Sequence, residues 1–103
     1  MGEIKIFNKN NIYQRFEVLK TNRNKRYRYN EFLVEGVRSL NEAVKNGRKI
    51  RSFLYDGREM SDWAINMLRE VPTDANYRLT PELMRELSGK EDTSELMAVI
   101  EMR

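Results

Sequence analysis

At 103 residues, with 40% hydrophobic and 34% charged side chains, the chain has the size and balance of one soluble domain with a modest core. Cysteine and histidine are both absent, which closes disulfide frameworks, thiol nucleophiles, imidazole bases and the usual zinc sites. The net charge of +3 hides a sorting: residues 1–30 carry eight Lys or Arg against two Glu, whereas residues 31–103 carry eleven against fourteen Asp or Glu. Such sorting points to a polyanion, nucleic acid first, with a solvated basic arm as the plainer alternative. No apolar run approaches the roughly 20 residues of a membrane span, and the N-terminus lacks the apolar core of a signal peptide. With no cysteine in use, a reducing cytoplasm is the expected location.

Residues 1–10 are polar and rich in Asn and Lys, and are expected to be a flexible terminus. Ile12, Phe16 and Leu19 then recur at helical spacing, with Asn11 as a candidate N-cap and Arg15 and Lys20 on the outward face. Thr21 to Arg28 reads as a basic connector, so residues 11–30 form a basic helix and arm ahead of a domain over 31–103. Tyr27 and Tyr29 interleave with Arg26 and Arg28, a pattern in which rings stack on unpaired bases while cations hold phosphates. Packing is the simpler role for Tyr29, which adjoins the next strand.

Phe32-Leu33-Val34 has the length of a buried strand and Glu35-Gly36 breaks it. Val37, Leu40 and Ala43/Val44 then share one helical face, and Asn46-Gly47 ends that helix. A second strand spans Ile50 to Tyr55, with Ile50, Ser52 and Leu54 alternating against Arg51, Phe53 and Tyr55. Asp56-Gly57 turns the chain into a helix capped by Ser61, with Ala64/Ile65, Leu68 and Val71 inward and Trp63 packing at its edge. A short strand near Tyr77-Arg78-Leu79 leads to Thr80-Pro81-Glu82, a strong helix start. Leu83, Met84 and Leu87 face inward there, Gly89 closes the helix, and Leu96 to Met102 is the last strand. The six methionines read as core fillers. The expected fold is a three-layer α/β sandwich around a small, mixed but mostly parallel four-stranded sheet, with an extra N-terminal helix.

In open α/β sheets ligands gather where strands end and helices begin, which singles out Glu35 to Lys45. Glu35 would either accept N–H bonds at the helix start or accept from a ribose hydroxyl or base edge. Gly36 would either take a positive φ or let a ligand approach the backbone. Arg38 sits in the first helical turn, where a cation is unfavourable unless an anion is bound or Glu42 pairs with it.

These pieces have an ordered likeness. Arg26-Tyr27-Arg28, then Phe32-Leu33-Val34-Glu35-Gly36, Arg38 and Glu42-Ala43, resemble the N-terminal substrate-binding domain of SpoU/TrmH-type RNA 2′-O-ribose methyltransferases. So do the later Leu83 to Ser88 helix, Asp92-Thr93 and the strand Met97 to Ile100. The likeness runs from about Arg23 to the C-terminus; where the family commonly has a Pro-Gln-Gly loop, this chain reads Ser94-Glu95-Leu96. It implies a fold similar to kink-turn-binding ribosomal proteins. It also implies an RNA partner (rRNA or tRNA), contacted by the basic Arg23, Lys25, Arg26 and Arg28 and by Glu35, Gly36, Arg38, Asn41 and Lys45. Methyl transfer from S-adenosylmethionine would belong to a covalently linked catalytic domain outside this chain. The chain itself is expected to carry no cofactor, no metal and no catalytic residue, and to be monomeric in isolation. A chain that stops with its last strand is expected of one domain cut from a longer protein. The alternatives are a free-standing ribosomal-type RNA-binding protein and a small protein-interaction module.

Overall fold

The computed structural model describes residues 3–102. Along them run β1 (Glu3–Ile6), α1 (Asn11–Thr21), α2 (Arg23–Tyr29), β2 (Glu31–Glu35), α3 (Val37–Lys45), β3 (Ile50–Tyr55), α4 (Asp62–Glu70), β4 (Asn76–Leu79), α5 (Pro81–Ser88) and β5 (Met97–Glu101). The fold class is α/β as expected, but the sheet has five strands in the order β1-β4-β3-β5-β2. The β1/β4 and β3/β4 pairs are parallel, while β5 runs antiparallel to both β3 and β2. Thus half of the pairings, not most, are parallel.

Each difference has a local cause. Glu3–Ile6 was expected within a flexible tail, yet it lies beside β4 as an edge strand. It buries a single side chain, Ile6, so the stretch carries no alternating apolar pattern to read. The direction of β5 follows from α5. That helix starts where β4 ends, and its last residue, Ser88, bonds Glu35 at the end of β2. It therefore stays at the carboxyl end of the parallel strands, and β5 has to run back down from there.

The N-terminal region is packed rather than arm-like. Asn10, not Asn11, caps α1, its Oδ1 accepting from the Tyr13 N–H at 2.9 Å. Tyr13, Phe16 and Leu19 are the buried stripe, and Ile12 is exposed. The supposed connector is α2, begun by the Asn22 side chain and ended by Asn30 in the left-handed region at φ 58°. An all-polar helix of this kind has no apolar periodicity, so its caps carry the signal. Lys20 does not face outward: its Nζ donates to the Leu87 and Ser88 carbonyls, closing the C-terminus of α5.

Two cores flank the sheet. On one face α1 and α5 bury Tyr13, Phe16, Leu19, Met84 and Leu87 against Ile6, Leu54 and Val99. On the other, α3 and α4 bury Leu40, Ala43, Ala64 and Met67 against Ile50, Phe53, Tyr55 and Ile100. Ile50 thus joins Phe53 and Tyr55, not Leu54, because a bulge between Ile50 and Ser52 shifts the alternation by one residue. In α4, Met67 takes the inward place expected of Ile65, which is exposed. Met67, Met84 and Met97 are core residues, whereas Met102 lines a surface cleft and Met1 lies outside the described residues.

An ion lattice ties the first core to the sheet. The buried Glu31, with 7% of its side chain exposed, accepts from Arg15 at 2.8 Å and from Arg51 at 2.6 Å. Arg51 also reaches Glu101 at 2.6 Å, and Arg15 lies over the Tyr29 ring at 4.2 Å. The Glu101 and Glu31 carboxylates hold the Arg51 guanidinium charged, pushing its pKa further up. Among the described residues no buried side-chain polar atom lacks a partner. No helix among them is long and apolar enough to cross a membrane.

Candidate nucleic-acid interface

The residues singled out by sequence fall at opposite ends of the sheet. At the carboxyl end of β2, Gly36 adopts φ +97°, a conformation that side chains resist. Its N–H donates to the Leu96 carbonyl at 3.3 Å, prolonging the β2–β5 ladder, and its carbonyl accepts the first bond of α3 from Leu40. A Cβ there would meet nothing closer than Ser94 Oγ at 3.7 Å, so conformation and not crowding requires glycine. Gly36 is also the N-cap of α3 and offers no side chain, so the first-turn N–H groups of that helix are uncapped. Arg38 projects from this turn, exposed and without a carboxylate partner among the described residues; Glu42 does not pair with it.

Glu35 does not bond the start of α3, one of the two roles expected for it. Its carboxylate accepts from Ser88 Oγ at 3.0 and 3.2 Å, with Lys90 Nζ 3.9 Å away. It ties β2 to the end of α5. The loop that follows α5 is clamped from the other side. Arg58 donates to the Thr93 carbonyl at 3.0 Å while pairing with the buried Asp56 at 3.1 Å. Glu95 accepts from both the Ser61 N–H (2.9 Å) and its hydroxyl (2.7 Å), and Leu96 is fully buried. Ser94-Glu95-Leu96 is thereby fixed by side-chain bonds without the family's Pro-Gln-Gly. Arg58 and Lys90 were missed in the sequence. The signal was available: each is a cation just past a glycine that ends a strand or helix at this end of the sheet. Lys5 and Arg78 extend the basic surface, in register across β1 and β4 and exposed beside Gly57.

At the other end lie Arg23, Arg26 and Tyr27 of α2, with Phe32 at the start of β2, Arg48 after α3, and Met102. Arg26 was expected on phosphates, but Nε donates to the Leu19 carbonyl at 2.5 Å and Nη2 donates to that of Lys20. It closes the C-terminus of α1. Arg23 and Arg28 are exposed and Lys25 half-buried, none with a carboxylate partner among the described residues. Tyr29 packs on the first core, as the simpler reading held, and Tyr27 stays 63% exposed. Lys45 projects from the last turn of α3, towards the Arg48 end. Asn41, midway along α3, has its Oδ1 engaged by Trp63 Nε1 at 2.9 Å, which leaves only its amide N–H groups available. The structure therefore groups Glu35, Gly36 and Arg38, groups Arg23 with Arg26 elsewhere, and turns Arg26 and Glu35 largely to structural use.

The clefts suit an anion better than S-adenosylmethionine. One of about 580 Å³ is lined by Lys5, Arg58 and Arg78, and one of about 330 Å³ by Arg23, Arg26 and Arg48. Neither offers a carboxylate to a sulfonium or an amino group, and no glycine-rich loop follows any strand. The linings of these two clefts do not fit that cofactor.

Comparison with known proteins agrees with this architecture. The chain is 44% identical over 100 residues to a 23S rRNA (uridine(2479)-2′-O)-methyltransferase of Streptomyces viridochromogenes, covering 95% of itself and 34% of that protein. The crystal structure of the SpoU methyltransferase AviRb from Streptomyces viridochromogenes with AdoMet superposes with a TM-score of 0.83 at 45% identity, over 91% of this chain and 36% of that one. An RNA 2′-O ribose methyltransferase structure superposes with a TM-score of 0.84 over 97% of this chain and 38% of that one; at 19% identity this shows the fold alone. The chain thus spans about a third of the length of these relatives. The family model described as the SpoU L30e-like domain matches residues 10–98, and the chain belongs to that family.

Proposed function

We propose that this chain is the RNA-recognition domain of an S-adenosylmethionine-dependent 2′-O-ribose methyltransferase acting on ribosomal or transfer RNA in the cytoplasm. Methyl transfer is done by a separate, linked domain, and this domain alone is a monomer. The observation that carries the reading is the alignment of nearly the whole chain with only 34% of an rRNA 2′-O-methyltransferase. Exposed cations without partners and cofactor-unfriendly clefts support the same division of labour. The uncapped α3 N-terminus and Arg38 would hold a phosphate at a defined place. Arg23, Lys25 and Arg28 would add phosphate contacts of low sequence selectivity.

Fluorescence anisotropy with a labelled rRNA hairpin tests this. Affinity should fall at least tenfold between about 50 and 200 mM salt. Replacing Arg23, Lys25 and Arg28 together with Ala should weaken binding and lower the salt slope by about 2. Calorimetry should detect no S-adenosylmethionine binding. Saturable cofactor binding, or salt-independent RNA affinity, would overturn the reading.

A further inference from the structure

We propose that the cleft between α2, the start of β2 and the segment after α3 is a stacking site for one unpaired nucleotide of an RNA strand. The inference rests on the RNA-binding reading above, but on a different chemistry from the phosphate contacts named there. Tyr27 is the key residue. Its ring is 63% exposed on a seven-residue helix that buries no residue, so packing on the core does not account for it. Across the cleft Phe32 is half-buried, and the Arg48 guanidinium lies 5.7 Å from its ring centroid. Two aromatic rings and a planar cation therefore border a space of about 330 Å³, suited to a single base with its ribose.

The cations here are pre-positioned. Arg48 Nη1 donates to the Met102 carbonyl at 2.9 Å, and Arg26 is held by two carbonyls of α1. Arg23 completes the rim and has no carboxylate partner among the described residues. No carboxylate lines the cleft. The acids nearest in register, Glu31 and Glu101, belong to the opposite face of the alternation from Phe32, and Arg15 and Arg51 hold them. Three guanidinium groups around one exposed and one half-buried ring, with no acid, match a chain that bears an aromatic face and a negative charge at every unit. A protein partner needs a far larger complementary area than one small cleft.

Stacking requires a free base, so the site should select single strands and tolerate sequence. The test is anisotropy with a labelled ten-residue oligouridylate and with the same strand annealed to its complement. Tyr27→Ala should weaken single-strand binding roughly tenfold, change duplex binding less than about twofold, and leave the melting temperature in place. Tyr27→Phe should bind like the parent, since it keeps the ring. Equal losses on both probes, or no loss in Tyr27→Ala while the parent binds RNA, would overturn the stacking site and spare the RNA reading. A parent chain that binds neither probe would remove both. Tighter binding of a Glu-Tyr copolymer than of the oligonucleotide, lost in Tyr27→Ala, would replace the nucleotide with an acidic protein partner.

Discussion

The two ends of the sheet are built on opposite plans. At the Gly36 end several charges are already engaged: Arg58 holds Asp56 and the Thr93 carbonyl, Glu35 holds Ser88, and Glu95 holds Ser61. Its free elements are the uncapped turn of α3, Arg38, and the exposed Lys5 and Arg78 beside Gly57. At the Tyr27 end the surface charges line a cleft with no acid, while the acids beneath are consumed by the Arg15–Glu31–Arg51–Glu101 lattice. One end thus offers a rigid backbone shape with a few fixed-place cations. The other offers rings and cations over a partly buried ionic floor. Rigid shape selects a ligand's geometry, whereas rings and surface cations add affinity with little selectivity.

The largest expected effect breaks the floor. Arg51→Met should cost about 3 kcal/mol, because Glu31 stays buried with Arg15 alone and Glu101 loses its cation. Denaturant unfolding measures this, and a loss below about 1 kcal/mol would mean the lattice is not a structural part of that end.

Next in size, Gly36→Ala should cost about 1–2 kcal/mol from φ +97°, since no crowding adds to the strain. The same measurement checks it. An unchanged stability would return the glycine to a ligand-clearance role.

Arg38→Ala separates stability from binding at the same end. A cation at a helix start is unfavourable by about 0.3–1 kcal/mol, so the melting point should hold or rise. Affinity for a structured RNA hairpin should drop about fivefold, and affinity for a flexible single strand less. A fall in stability without a fall in binding would assign Arg38 to the structure.

The smallest effect lies away from both ends. Burial, aided by Glu17 and Glu86, pushes the Tyr13 phenol up to about 12, against about 10 in an unfolded chain. The folded state therefore keeps a proton that the unfolded state has lost. Stability from this group is complete below pH 10 and declines between about pH 10 and 12. Tyr13→Phe should flatten the decline without abolishing it, because burial and a bond to Glu3 also raise Tyr55. Chemical denaturation across that range reads both slopes.

What the sequence determined by itself were features whose partners lie within four or five residues. Ser61 and Thr80 cap α4 and α5 by accepting from N–H groups three residues on, and Gly47 and Gly89 take the left-handed turns that end α3 and α5. The strand over Ile50–Tyr55 and the strand-turn-helix at Gly36 were legible from residue type and period instead, although their ladder partners lie far along the chain. Tertiary structure alone decided the rest. The edge strand Glu3–Ile6 takes its place from β4, more than seventy residues along the chain. The bulge beside Arg51 moved Ile50 to the other core. Glu35, Asn41 and Arg26 found partners in Ser88, Trp63 and the end of α1. Of the two tyrosines the sequence offered for stacking, the fold packed Tyr29 on the core and left Tyr27 uncovered. A residue type states which bonds it can form; only the folded chain determines which partners come within about 3 Å of it.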